Sequence, residues 1–203
     1  MTLLAKEKSD YFPIPEGTHR AVSSAVVDLG IQENPFGKPK AQLLIRYEFP
    51  DIRDEREAGD QKTDEPRIKW QFYSNSLHKE SNLRKDLEGW RDKGFTKEEL
   101  EGFDVMSILG HACQVTIIHD HSGDRIKDRI RTVTRLMGDA DKPKPELEII
   151  RYTKDENEQW ELLPDWIQEK IRNQVKDDTP PPKLESAKDD FQDIDIPFNP
   201  EAA

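Results

Sequence analysis

The fold signal is strongest in residues 40–49, which read Lys40-Ala-Gln-Leu-Leu-Ile-Arg-Tyr-Glu-Phe49. Ala41, Leu43, Ile45, Tyr47 and Phe49 point to one side and mostly polar residues to the other, the period of two that is typical of a half-buried β-strand. A similar alternation runs through residues 67–74, where one side carries Ile68, Trp70 and Phe72 and the other carries Arg67, Lys69, Gln71 and Tyr73. These two stretches predict neighbouring strands of a β-rich domain.

The remaining elements predict an OB-fold order. Further strands are predicted at 18–29, 112–118 and 125–136, an edge strand at 147–152, a helix at 163–171 and a long solvated acidic loop at 51–65. Between the third and fourth strands, Leu83, Leu87 and Trp90 follow the helix-capping pair Ser81-Asn82, and Thr96 and Glu99 have capping-box spacing. We therefore predict a mainly β fold with helical insertions: a five-stranded OB-fold barrel with a helix between strands 3 and 4.

Composition narrows the class of protein. The chain has 203 residues, and no stretch approaches the ~18 apolar residues of a membrane span. The single cysteine, Cys113, forms no internal disulfide, which suits a reducing compartment. These features exclude a membrane protein and a scaffold held together by disulfides. We expect a cytoplasmic protein with no membrane association.

The net charge of −11 is unevenly distributed. Residues 141–203 hold 9 basic and 17 acidic side chains, a net of −8. Within them, residues 177–203 hold 2 basic and 8 acidic side chains, three consecutive prolines and no glycine. Such a composition does not offset the entropy of ordering the chain, so we predict a disordered acidic tail there. The predicted divisions are a folded domain over 1–150, a helical extension over 151–176 and the tail over 177–203.

The fifth predicted strand carries a row of cations. Arg125, Lys127, Arg129, Arg131 and Arg135 share one parity. On a regular strand, alternate residues are about 6.6–6.8 Å apart, close to the phosphate repeat of an extended nucleic-acid strand. The row is compatible with phosphate binding, and equally with a solvated edge strand whose charges prevent aggregation.

Aromatic residues accompany other cations. Phe36 lies in a Pro- and Gly-flanked loop beside Lys38 and Lys40, and Tyr73 shares the side of Lys69. These are the better stacking candidates, because Trp70 and Phe72 share the Ile68 side, which favours the core. Stacking rings in a cationic groove are what sequence-tolerant single-strand binding requires. The candidate single-stranded DNA-binding residues are Phe36, Lys38, Lys40, Arg46, Arg67, Lys69, Trp70, Tyr73, Arg125, Lys127, Arg129, Arg131 and Arg135.

Signals for catalysis and metal binding are weak. His111-Ala-Cys113 and His119-Asp-His121 do not have a standard zinc spacing, and Cys113 has the parity of buried Val115 and Ile117. The chain contains no phosphate loop, nucleophile elbow or dinucleotide fingerprint. We expect no enzymatic activity, no cofactor and no metal. A metal-dependent nuclease stays open as an alternative.

The tail motif resembles a known family. Residues 189–198 read Asp189-Asp-Phe-Gln-Asp-Ile-Asp-Ile-Pro-Phe198, similar to the acidic C-terminal peptide of bacterial and phage single-stranded DNA-binding proteins. That resemblance implies that the tail recruits replication or recombination proteins and competes with DNA for the basic groove. In the family Phe is the final residue, whereas here Asn199 to Ala203 follow. The residues that match the partner-binding tip are Asp193, Asp195, Ile196, Pro197 and Phe198.

The body resembles phage replication-module proteins regarded as single-stranded DNA-binding proteins with an OB-type core. The resemblance depends on segments 15–19, 26–30, 81–90, 102–104 and 163–171. It implies a protein that coats single-stranded DNA without sequence preference during replication or recombination, with possible self-association. Two rivals stay open: a recombination mediator or strand-annealing protein, and an acidic DNA-mimic or interaction protein.

Overall fold

The structure is a computed structural model that describes residues 12–35, 37–54, 57–58, 61–62, 64–123, 126–138 and 141–175. Phe36, Arg125 and the predicted acidic tail, with Asp193, Asp195, Ile196, Pro197 and Phe198, lie outside the described residues. The strands are β1 (Gly17–Gln32), β2 (Lys40–Asp54), β3 (Glu57–Ala58), β4 (Gln61–Lys62), β5 (Glu65–Ser74), β6 (Ala112–Asp120), β7 (Lys127–Thr134) and β8 (Ile150–Tyr152). The α-helices are α1 (Asn82–Arg91), α2 (Lys97–Glu101) and α3 (Asp165–Arg172), and 3-10 helices cover Val105–Ile108 and Trp160–Leu162.

The main sheet confirms the mainly β prediction. Its strands lie in the order β5-β2-β1-β6-β7, with each neighbouring pair antiparallel, and β8 adds a short parallel pairing to β1. Five long strands with α1 between the third and fourth match the predicted element order. The sheet is open, because no backbone ladder joins β5 to β7 among the described residues. The described sheet therefore does not close into the predicted barrel.

The inner face of the sheet packs against α1. Its core includes Leu43, Ile45 and Tyr47 of β2, and it meets the buried positions of the helix, which are Leu83, Leu87 and Trp90. The helix begins as predicted, since the Ser81 hydroxyl accepts a hydrogen bond from the Arg84 amide at 3.3 Å. The i, i+4, i+7 spacing of the three apolar residues places them on one helix face, which is why α1 closes this side of the core.

The outer face of β1 and β2 carries a second core. Leu29 and Leu44 pack there against β8 and against Ile167 and Ile171 of α3. The strand β2 is consequently buried on both faces, with Leu43 and Ile45 turned inward and Leu44 turned outward. The C-terminal part of the described chain thus covers a sheet face that a single-core domain would leave to solvent.

Gly30 shows how closely the end of the described chain packs on β1. Its φ of +69° lies in the left-handed region, at a register shift between Asp28 and Gly30 in the β1–β2 ladder. A Cβ added to Gly30 would lie 2.0 Å from the side-chain oxygen of Gln174. The Val175 amide donates to the Ile31 carbonyl at 2.8 Å. The left-handed φ favours glycine here, whereas the Gln174 side chain could move aside for a Cβ.

The acidic stretch 51–65 differs from its prediction as a solvated loop. Strand β2 continues to Asp54 and β5 begins at Glu65, and these two residues are paired. Between them, β3 and β4 form their own small antiparallel pair. A two-stranded ribbon can be polar on both faces, so the absence of apolar alternation concealed a hairpin.

A half-buried acid, Asp86, connects α1 to both end strands of the sheet. The Asp86 carboxylate accepts hydrogen bonds from the Tyr73 hydroxyl at 2.8 Å and from the Val133 amide at 3.1 Å. The Tyr73 and Tyr47 hydroxyls are 3.2 Å apart. Burial raises the pKa of Asp86 from its usual 3.8 to about 6, although the two hydrogen bonds act in the opposite direction.

This raised pKa predicts a pH-dependent contribution to stability. Between about pH 4 and pH 6 the native state retains a proton on Asp86 that the unfolded state has lost, so the contribution of Asp86 falls as the pH rises. We expect Asp86→Asn to remove this dependence. As the pH rises across that window, the wild type should lose up to roughly 3 kcal/mol of its free energy of unfolding relative to the variant.

Urea unfolding at half-unit pH steps measures this difference. The matched control is Asp92→Asn, which changes an exposed carboxylate next to the end of the same helix. Equal pH profiles for wild type and Asp86→Asn would contradict the assignment.

Candidate nucleic-acid interface

The predicted row of cations on β7 does not form one continuous face. The β6–β7 register shifts between the pairs Thr116–Thr132 and Ile117–Ile130, which leaves Arg131 as an extra residue. A bulge of this kind reverses the alternation, and Val133 is accordingly buried in the inner core. The prediction of five cations on one face assumed a regular strand and is wrong at this point.

Ion pairs further reduce the charge of this row. Arg129 lies 2.6 Å from Asp120, and Arg135, just beyond the end of β7, lies 3.3 Å from Asp92. Lys127 and Arg131 are exposed. The described part of the row therefore presents less net positive charge than its sequence indicates.

The seam between β5 and β7 is held by a buried aspartate. Asp128 accepts from Lys69 Nζ at 2.7 Å through its carboxylate, and the same Nζ lies 2.7 Å from the Asp128 backbone carbonyl. The Ile14 amide donates to the other carboxylate oxygen at 3.1 Å. Arg67 donates to the Phe12 carbonyl. Both residues are candidate DNA contacts. In the structure Lys69 binds the opposite strand, β7, and Arg67 binds the N-terminal segment.

Arg46 is a structural residue in this fold. It is 8% exposed, and it donates to the Ser24 hydroxyl at 2.7 Å and to the Glu148 carbonyl at 2.6 Å. Burial lowers its pKa. Its neighbour on the same face, Glu48, accepts from the amides of residues 146 and 147 at 2.9 and 3.1 Å. The polar side of β2 therefore binds the segment that leads to β8, whereas the sequence placed it in solvent.

Tyr73 cannot be a stacking platform in this structure. It is 2% exposed, and its hydroxyl is bonded to Asp86. In the β2–β5 ladder Tyr73 is paired with Leu43, so both lie on the inner face. The side of β5 that looked polar in the sequence is thus the inner side, and the Ile68 side faces outward.

That outward side carries two half-buried aromatic residues, each with a cation near its ring. Trp70 and Phe72 lie on β5, and both approach Trp166 of α3, with ring centroids 6.1 Å apart in each case. We call Trp70, Phe72 and Trp166 the aromatic cluster. All three are half-buried, and Arg46 lies 5.5 Å from the Trp70 ring centroid.

Lys170 completes the surroundings of the aromatic cluster. Its Nζ lies 5.4 Å from the centroid of the Phe72 ring. The prediction from sequence missed Trp166 and Lys170, because it placed the helix at 163–171 in an extension outside the folded domain over 1–150. The signal was available: positions 166 and 170 have i, i+4 spacing, which places both on one side of a helix.

The loop between β1 and β2 contributes cations at one end of β5. Lys38 is exposed and Lys40 is half-buried at the start of β2. Lys40 is paired with Gln32 in the ladder, and the Gln32 side chain donates to the Lys170 carbonyl at 3.2 Å. The loop and the C-terminal end of α3 therefore lie close together.

The described residues contain no group of three or more His, Cys, Asp or Glu side chains suited to a metal ion. Burial raises the pKa of the Cys113 thiol, and His119 binds the Ile14 carbonyl at 2.7 Å. Within the same residues, no helix has the length and apolar character needed to cross a bilayer.

No protein-family model matches the chain, and the comparison with curated proteins also finds no match.

The Asp128 seam makes a prediction about stability. Asp128→Ala removes the only described side-chain carboxylate paired with Lys69 and leaves the Ile14 amide without its acceptor. Removing one partner of a buried ion pair typically costs about 3–5 kcal/mol, so we expect the free energy of unfolding to fall by roughly 3 kcal/mol. Chemical denaturation measures this change.

Arg131→Ala is the control, since this exposed side chain lies in the bulge of the same strand, and we expect a change below about 0.5 kcal/mol. If the two substitutions lowered the free energy of unfolding equally, the seam would not depend on Asp128.

Proposed function

We propose that this chain binds single-stranded DNA without sequence preference and performs no reaction on it. The observation that carries the proposal is that Trp70 and Phe72 remain half-exposed on the outer face of β5, a strand at the end of the sheet, with Lys38 and Lys40 of the β1–β2 loop at one end of that strand. Every base has a π-face, so such rings bind bases regardless of sequence, while cations neutralise the backbone. A duplex hides those faces, which favours the single strand.

The strand order supports an OB-type arrangement as part of this proposal. The third, second, first, fourth and fifth long strands lie side by side in that order. The two end strands approach each other through Lys69 and Asp128, and through Asp86, which is bonded to Tyr73 and Val133. OB-folds are partly open five-stranded barrels whose strand 2–3 face binds oligonucleotides. Here the corresponding face of β2 is covered, which leaves the outer face of β5 for the ligand.

The proposal includes a role for the acidic tail that the family resemblance implies. Residues 176–203 hold 3 basic and 8 acidic side chains, a net charge of −5. A tethered polyanion competes with phosphates for the same cations. Asp193, Asp195, Ile196, Pro197 and Phe198 form the segment that we propose for recruiting replication or recombination proteins.

Titration of labelled oligo-dT and of a duplex of equal length, at two salt concentrations, tests the proposal. We expect binding of the single strand alone, with a salt slope of about −0.7 for each neutralised phosphate. Trp70→Leu should weaken that binding at least about fivefold, because a stacked base contributes roughly 1–3 kcal/mol. Tyr73→Phe should bind like the wild type, since its ring is buried.

Equal binding of both oligonucleotides, or binding of neither, would rule the proposal out. An acidic DNA-mimic predicts the second result.

A truncation after Val175 tests the competition. We expect tighter binding of oligo-dT at low salt and a smaller difference at high salt, because screening weakens the attraction between exposed charges. A full-length variant with Asp189, Asp190, Asp193 and Asp195 changed to Asn is the control, because it keeps the tail's length and lowers its charge. Affinities equal to that of the wild type in both proteins would show that the tail does not compete.

A further inference from the structure

We infer that α3 forms the second wall of the DNA site, with Trp166 as a base-stacking residue and Lys170 as a phosphate contact. This inference rests on the proposed function. The sequence had placed the DNA-binding domain within residues 1–150. The structure brings two side chains from outside that range to the aromatic residues of β5.

The position of α3 is fixed by its apolar face. Ile167 and Ile171 are buried in the outer core, together with Leu163 just before the helix. Gln32 donates to the Lys170 carbonyl at 3.2 Å, and the Asn173 amide donates to the Glu169 carbonyl at the end of the helix. With these contacts made, Trp166 packs at the edge of the outer core, and Trp166 and Lys170 are held beside β5 with part of each side chain exposed. A rigid helix is a better support for a binding residue than a loop, because less side-chain freedom is lost on binding.

The geometry of the rings suits an inserted base. Trp166 meets Trp70 edge-to-face, with an interplanar angle of 88°, and meets Phe72 at 48°. Neither pair is stacked face to face, and all three rings remain partly exposed although Arg46 lies over Trp70 and Lys170 over Phe72. Three aromatic residues of the inner core, Tyr47, Phe49 and Tyr73, are by contrast each at most 2% exposed. The aromatic cluster therefore keeps accessible ring surface that ordinary core packing removes.

The charges on α3 suit a phosphate. Lys170 has no carboxylate within ion-pair distance among the described residues, and its ammonium lies over the Phe72 ring. The two acids of the helix, Asp165 and Glu169, are exposed. Asp165 directly precedes Trp166, and Glu169 directly precedes Lys170. One position corresponds to about 100° around a helix, which places these acids on a different side. A ligand with a flat apolar base and an anionic backbone matches this side of α3, and single-stranded DNA is that ligand.

The chain offers a matched control for each residue. Trp160 is also half-buried in the C-terminal segment, 5.7 Å from the Tyr152 ring, and Arg172 lies over it at 5.2 Å. This second aromatic and cation pair repeats the chemistry of Trp166 and Lys170 but contacts β8 in place of β5. A general effect of losing a tryptophan or a cation near α3 would appear in both pairs.

The experiment measures oligo-dT affinity of full-length Trp166→Leu and Lys170→Gln beside Trp160→Leu and Arg172→Gln. We expect Trp166→Leu to weaken binding about tenfold and Trp160→Leu less than about twofold. Lys170→Gln should reduce the magnitude of the salt slope by about 0.7, and Arg172→Gln should leave it unchanged. Thermal unfolding of each variant shows whether the fold persists, and if Trp166→Leu unfolds, the salt slope of Lys170→Gln decides.

The outcomes separate this inference from the function. If the wild type binds oligo-dT while Trp166→Leu and Lys170→Gln match their controls, α3 is not part of the site although the proposed function stands. If the wild type does not bind oligo-dT, the proposed function fails as well.

Discussion

Burial of β2 on both faces is the constraint on which the rest of the structure depends. Inward residues such as Ile45 join the inner core, while Leu44 joins the outer one. The outward side also contains Arg46 and Glu48, whose charges are costly to bury without partners. The backbone of residues 146–148 supplies those partners, and this fixes the path of the chain toward β8 and α3. The position of the aromatic cluster follows from that path.

A second constraint is the open edge of the sheet. Unpaired edges of β-strands invite association, so proteins cover them or place charges there. In this fold, side chains take the place of a backbone ladder: Lys69 and Asp128 at one point, and Asp86 with Tyr73 and Val133 at another. The N-terminal segment adds the buried Ile14 beside Asp128. The two ends of the sheet are thus linked without being hydrogen-bonded as strands.

Local patterns predicted the elements well, because period and capping depend on neighbouring residues. The alternation in β2, the Ser81 cap and the capping box of Thr96 and Glu99 are all present. What failed was the assignment of faces. With a core on each side of the sheet, an apolar side such as Ile68, Trp70 and Phe72 does not identify the interior, and Tyr73 was therefore placed outside when it is inside.

Two further failures had causes beyond the reach of local patterns. The bulge at Arg131 changes the parity of β7 by one residue, and nothing in the flanking sequence marks it. One partner of Arg46, the Glu148 carbonyl, is 102 positions away in the chain. Charged residues at half-buried positions therefore looked available for DNA when they were already bound within the fold. Asp128, next to Lys127 and Arg129, was passed over for the same reason.

The outer core depends on contacts between distant parts of the chain. Gln32 and Lys170, which join β1 to α3, are 138 positions apart, so the contacts of this layer are among the least local in the molecule. Proteins rich in such contacts fold slowly, because the chain must close a large loop before those contacts form. During synthesis β1 and β2 emerge long before α3, and their outer side chains, Leu29 and Leu44 among them, then face water. For that interval the nascent chain carries an apolar sheet face on which a chaperone or another nascent copy can act before α3 does.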